Sequence, residues 1–231
     1  MHRAWASACI GLLGCGRVAF DPRGDASADS KQAIAECAAD PRLIACYDFE
    51  GDAGDRSNHG NDANGIQVTY VAGRFGRGIQ MDESSRADLA MPALATTQWT
   101  FDAWIRPDLP PAGSLELVFD HEARWAIMVE DQAGTLVFGC NSALTQGFVS
   151  RPLVPGTWAH VACIDDGVTS VGYLDGLVET VGTGNGGGTS TVAAIGGNAP
   201  LLDTLSPFLG TIDRLRIWNV ALPPAELDAI D

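Results

Sequence analysis

From Pro41 to the C-terminus, apolar and polar residues alternate over short runs separated by turn residues. The stretch "WTFDAWIRPD", Trp99–Asp108, sets the pattern. Phe101, Ala103 and Ile105 share one parity, and Asp102, Trp104 and Arg106 share the other. A side-chain period of two belongs to a strand with one buried face. Comparable runs predict strands over Leu43–Glu50, Gly78–Met81, Ala87–Met91, Thr100–Arg106, Glu116–Asp120 and Trp125–Glu130. They continue over Thr135–Cys140, Trp158–Asp165, Ser170–Leu174, Leu177–Val181, Thr191–Ile195 and Gly210–Trp218. Asp175-Gly176 and "EDQAG" at Glu130–Gly134 close hairpins, because glycine accepts positive φ without a steric cost. The closing "ALPPAELDAID" predicts a short C-terminal helix, with Pro224 in its first turn and Glu226 at the positive end of its dipole. Many short strands with regular turns predict an all-β fold, a two-sheet antiparallel sandwich.

The first 36 residues break this pattern. "MHRAWASACIGLLGC" has a basic start at Arg3 and an apolar run too short to cross a bilayer core of ~30 Å as a helix. That layout is a secretory signal. "LLGC" at Leu12–Cys15 resembles a bacterial lipobox, which implies that Cys15 begins the mature chain and carries lipid. The reading divides the chain into a signal peptide over 1–14, a disordered tether over 15–36 and one folded domain over 37–231. The tether mixes Ala, Ser, Asp and Arg and has too few large apolar groups to fold alone. Its "RGD" at Arg23–Asp25 is a chance match. Export to the bacterial envelope follows, at the outer membrane or cell surface.

Composition sharpens this picture. The 231 residues are 46% hydrophobic, enough for a single sizeable core. A formal charge of −15 repels phosphate backbones and excludes nucleic acid as a partner. With Cys9 in the signal and Cys15 lipidated, Cys37, Cys46, Cys140 and Cys163 remain, an even number suited to an oxidising compartment. Four cysteines allow three pairings. Cys37–Cys46 is favoured because both lie at the entry to the first strand and are close in sequence, which leaves Cys140–Cys163 on two strands that could neighbour each other.

The order of motifs resembles a family. "YDFEGDAGDRSNHGNDA", "GRFGRGIQMD", "WTFDAWIRPD", "GTWAHVACIDDG", "GYLDGLVET" and "GTIDRLRIWNVALPPAEL" follow one another as in LamG-like jelly-roll domains of the concanavalin A-like lectin/glucanase superfamily. The resemblance spans Leu43 to Ile230. It implies two stacked antiparallel sheets, and it is associated with carbohydrate binding, adhesion and, in many members, a structural calcium ion.

Candidate chemistry was sought site by site. Glucanases of the superfamily carry an E-x-D-x-x-E strand, and this chain has none; nor has it a G-x-S-x-G elbow. "GTGNGG" at Gly182–Gly187 runs into "GTSTV" and reads as a loop leading to a strand, not a phosphate-binding turn. His160, inside "WAHVA", reads as structural. Asp213 shares parity with Leu215 and Ile217, so it is expected on the core side, where a carboxylate needs a partner. Pairing of first and last strands, as the resemblance implies, would bring it near Asp48 and Asp55 and let the three hold one structural Ca²⁺. An arginine or backbone N–H groups would serve Asp213 equally. Trp104 reads mainly as packing under a further layer of loops. Trp125, between Glu122 and Arg124, is the better sugar-stacking candidate, and Trp104, Trp125, Asp102 and Arg106 together form the candidate ligand face. For the convergent polar groups that a sugar site needs, the loops offer Asn141, Ser142, Gln146, Asn185 and Asn198, although scattered polar residues are also simply what loops contain. The functional expectation is a non-catalytic surface module for a carbohydrate or protein ligand. A structural envelope lipoprotein without a ligand is the alternative, and a glycan hydrolase is the least favoured.

Overall fold

A computed structural model describes residues 37–91, 97–122, 125–142, 145–184, 190–199 and 207–230. The signal, Cys15, the tether, Arg124 and Asn185 lie outside these residues.

Two antiparallel sheets form. The first runs in the order β13 (Leu177–Thr183), β12 (Thr169–Leu174), β11 (Ala159–Asp165), β6 (Trp99–Pro107), β15 (Gly210–Trp218), β4 (Arg77–Met81) and β3 (Thr69–Ala72). β1 (Leu43–Tyr47) pairs with the second half of β15. The second sheet runs β10 (Thr145–Pro152), β9 (Thr135–Ser142), β8 (Trp125–Gln132), β7 (Leu115–His121), β14 (Val192–Ile195), β5 (Arg86–Ala90) and β2 (Asn64–Ile66). A short helix, Pro224–Leu227, follows β15. The expected sandwich and terminal helix are present. β2, β3 and β10 were not anticipated, because "NGI", "TYVA" and "TQGFVSRP" carry few buried apolar residues to mark a face.

The core lies between the sheets. Phe101, Ile105, Ile212, Leu215 and Ile217 of the first sheet meet Phe119, Ile127, Val129, Phe138 and Ile195 of the second. Trp125 belongs here too. It is 3% exposed, and its ring stacks on Trp99 at 4.2 Å and 12°. Its place as a sugar-stacking candidate is therefore corrected: Trp125 shares parity with Ile127 and Val129 and faces inward.

Both favoured disulfides form. Cys140 on β9 and Cys163 on β11 lie in opposite sheets, so this bond spans the core instead of joining neighbouring strands. Closing a loop of 23 residues restricts the unfolded chain by about 3 kcal/mol in the chain-entropy account.

β15 contains a bulge. Asp213 pairs with Trp104 and Arg216 with Asp102, so β15 uses one residue more than β6 between the same rungs. Arg214 takes φ +46° to absorb it. The extra residue reverses parity: Ile212 and Leu215 both face the core, whereas Asp213 and Arg216 face outward. The inward placement expected for Asp213 is overturned by this one residue.

The outer face of the first sheet carries a third layer. The helix and the Cys37–Cys46 segment cover Ala162, Ile164, Tyr173 and Trp218. Beneath them Arg216 Nε donates to Asp102 Oδ1 at 2.8 Å, and His160 Nε2 lies 2.8 Å from Asp102 Oδ2. Arg216 Nη1 also donates to the Ile230 carbonyl, and the Tyr173 hydroxyl donates to Asp228, which ties the C-terminus down.

Candidate functional site

The first sheet accounts for most residues singled out in the sequence. Asp102 is fully buried and bound to Arg216, so it is no ligand contact but the centre of a buried ion pair. Trp104 is half-buried. His160 stacks on it at 5.2 Å and 12°, and the Arg74 guanidinium stands 4.7 Å from its ring centre. Arg106 donates to Thr211 Oγ1 at 3.0 Å and lies over the Trp158 ring at 5.2 Å.

The three acids assigned to calcium do not converge. Asp48 is paired with Arg56 at 3.1 Å. Asp55 accepts from Cys46 N, Ser57 N, Ser57 Oγ and Asn61 N, and so organises its own loop. Asp213 Oδ2 accepts from Phe75 N at 2.8 Å, with the N–H groups of Arg74 and Arg214 also directed at the carboxylate. Asp213 Oδ1 is buried without a hydrogen-bond partner, and burial pushes the group up to about 7. Calcium needs six to eight oxygens, whereas donors surround Asp213. No group of three or more His, Cys, Asp or Glu among the described residues could hold a metal. The set does not fit the ion.

The second sheet presents a different surface. Cross-strand pairs place Asn64 opposite Asp88, Asp88 opposite Ala194, and Ala194 opposite Asp120. The row continues through Ala126 and Asn141 to Gln146. Directly paired residues leave the same face of a sheet. The adjoining row (Leu89, Ala193, His121 and Trp125) faces the core. The polar row therefore lies on the outer face and crosses all seven strands, a width of about 29 Å at normal strand spacing.

Small and polar side chains alternate along it. Ala194 and Ala126, both buried, lie between Asp88, Asp120 and Asn141. Asp120 Oδ2 accepts from Ala199 N at 2.8 Å, and burial raises this carboxyl to about 6. Asp88 lies 3.1 Å from Arg86. The side chains of Asn64, Asn141 and Gln146 make no hydrogen bond among the described residues.

An aromatic plate adjoins the amides. Phe148 lies two residues beyond Gln146 on the same strand face and pairs with Gly139. A Cβ on Gly139 would stand 2.5 Å from Phe148 Cδ1, so glycine is what lets the ring lie across β9. Phe148 packs against Leu117, Ala126 and Met128 and remains half-buried. A part-exposed ring beside free amides and a carboxylate suits sugar hydroxyls and the apolar face of a pyranose or furanose.

Asn64, Asp88, Asp120 and Phe148 escaped the sequence reading. Asn141 and Gln146 were offered as polar groups for a sugar site but placed on loops, whereas they pair across a hairpin. Asp88 and Asp120 lie on predicted strands, and their parity opposite Ala87, Leu89 and Phe119 already placed them outward.

Comparison with known proteins agrees with the fold. No curated protein matches the sequence. A solved structure of domain 4 of AbnA, a GH43 extracellular arabinanase from Geobacillus stearothermophilus in complex with arabinotriose, is similar at TM-score 0.65 and 22% identity. The match covers 82% of this chain and 98% of that one. The binding domain of Paraclostridial Mosquitocidal Protein 1 is similar at TM-score 0.61 and 16% identity, covering 82% of this chain and 51% of that one. The binding domain of botulinum neurotoxin DC in complex with rat synaptotagmin II gives TM-score 0.62 and 11% identity over the same shares. At these identities the likeness is one of fold. The Laminin_G_3 family model, of the Concanavalin A-like lectin/glucanases superfamily, matches residues 81–228, from the end of β4 to the C-terminal helix. The chain belongs to the concanavalin A-like lectin/glucanase superfamily.

Proposed function

We propose that this protein is a non-catalytic carbohydrate-binding module that takes a neutral oligosaccharide across the outer face of its second sheet. The observation that carries the reading is the polar row from Asn64 to Gln146 with the Phe148 ring beside it. Sugar hydroxyls bond to the amides of Asn141 and Gln146 and to Asp120, while a ring stacks on Phe148. The arabinotriose complex of a similarly folded domain supports a glycan ligand for this fold.

The two carboxyls of the row stand two strands apart, with Ala194 between them. Asp88 is held by Arg86 and Asp120 by the Ala199 N–H. Binding asks only that they accept hydrogen bonds. The test is a screen of the domain, residues 37–231, against immobilised neutral glycans including arabinotriose, with reducing-sugar release measured in parallel. Binding without release is the expected result. Silence on every glycan refutes the reading, and release of reducing ends moves the protein to the hydrolases.

Lipid attachment at Cys15 is part of the same reading. It anchors the module at the cell surface, and the two disulfides support an oxidising compartment. Cys15→Ser should shift the full chain from the membrane fraction to the soluble one.

A further inference from the structure

The outer face of the first sheet holds a second set of groups that the neutral-glycan reading does not use. Arg74 is exposed, with its guanidinium 5.6 Å from the Phe75 ring centre and 4.7 Å from that of Trp104. Arg214 lies 3.7 Å from the same Phe75 ring, and Arg106 covers Trp158. Phe75, Trp104, Arg106, Trp158 and Arg214 are all part-exposed.

This clustering is unexpected in a chain with 29 acids and 14 bases. Four arginines elsewhere are neutralised, Arg42 by Asp40 and Glu226, Arg56 by Asp48 and Asp52, Arg86 by Asp88 and Arg216 by Asp102, whereas Arg77 and Arg151 donate to backbone carbonyls. Arg74 and Arg106 have no carboxylate partner among the described residues. Arg106 spends one N–H on Thr211, whose hydroxyl donates onward to Gln80. A guanidinium carries five N–H groups, so the rest of the fork is open. Of the carboxyls near this cluster, Asp213 is held by the 73–76 turn, and Glu50 accepts from the Arg77 N–H at the end of that turn and lies within the field of Arg214.

We propose that this face binds an acidic polysaccharide, with Arg74 and Arg106 taking its carboxylates and Phe75 and Trp158 lying against its sugar rings. Trp104, which carries Arg74, and Arg106 stand two residues apart on one strand face, about 7 Å. Two guanidiniums on separate aromatic supports, Trp104 and Trp158, suit carboxylates repeated along a chain better than a single small anion. Guanidinium–carboxylate pairs are bidentate and directional, and guanidiniums already spread over aromatic rings lose little freedom when they bind.

The experiment is affinity electrophoresis of the domain in polygalacturonate, in its methyl ester (the same chain without charge) and in polyglutamate, a polyanion without sugar rings. Retardation by polygalacturonate alone is expected. Arg74→Ala with Arg106→Gln should weaken it at least about tenfold, the scale of one or two lost charge-assisted hydrogen bonds, at unchanged melting temperature. Asn141→Ala with Gln146→Ala should leave it intact. No retardation by polygalacturonate, equal retardation by polyglutamate, or a loss that follows Asn141 and Gln146 instead each overturns the proposal. Neutral-glycan binding measured on the same proteins separates its failure from failure of the second-sheet reading.

Discussion

Asp213 and Trp104 occupy facing positions on β15 and β6, so both side chains leave the outer face of the first sheet. The bulge at Arg214 produces this pairing, and it leaves Asp213 beneath the 73–76 turn. The aspartate thus pins a turn to a strand. It does so with N–H donors, which repel a cation.

Calcium dependence follows from that geometry. Asp48 and Asp55 are committed to Arg56 and to their own loop, so these acids and Asp213 do not form an oxygen cage together. The melting temperature of the domain should be the same in EDTA and in millimolar Ca²⁺. A rise of several degrees in Ca²⁺ would contradict this account of the three acids.

Stability should fall as the solution becomes more alkaline. Burial raises Glu116 and Asp213 to about 7 and Asp120 to about 6, against about 4 for carboxyls in an unfolded chain. Between those limits the folded state holds protons that the unfolded state has released. The contribution is complete below about pH 4 and is lost as pH rises through 6 to 7. Thermal scans from pH 5 to pH 8 should show a decreasing melting temperature, and Glu116→Gln should flatten the slope. A rise over that range, or an unchanged slope in the variant, would contradict the assignment.

The buried pair beneath the C-terminal helix makes a sharper stability prediction. Arg216→Ala leaves the Asp102 carboxylate buried without its guanidinium. Stranding one partner of a buried ion pair costs about 3–5 kcal/mol, read from the urea midpoint. The same variant frees the Ile230 carbonyl, so proteolysis at the C-terminus should quicken.

Gly139 tests the aromatic plate without touching a ligand contact. Gly139→Ala drives a methyl into the Phe148 ring and must displace it. Oligosaccharide binding should weaken several-fold, and because the methyl also comes within 2.9 Å of the Gly147 carbonyl, the melting temperature should fall as the hairpin backbone shifts. Undiminished binding would remove Phe148 from the site.

Much of the architecture was legible because strand periodicity and turn chemistry are local. Twelve strand runs and the terminal helix came from residues within ten positions of each other, and the fold family from the order of six short motifs between Leu43 and Ile230. Trp125 was legible as well, since it keeps step with Ile127 and Val129; its charged neighbours Glu122 and Arg124 drew attention from that parity. Asp213 was not. A bulge leaves no hydrophobic signature, and this one uses Arg214 at positive φ where a glycine would have signalled it. The polar row was illegible for another reason. Asn64, Asp88, Asp120, Asn141 and Gln146 meet only through the register of seven strands, and register depends on pairing across the whole domain.

The most direct measurement is calorimetric titration of the wild-type domain and of its Asn141→Ala, Gln146→Ala variant with a neutral oligosaccharide identified by the glycan screen. Saturable heat that disappears in the variant, with no sugar product formed, is what the account predicts. Equal heats for the two proteins would place the ligand elsewhere and contradict it.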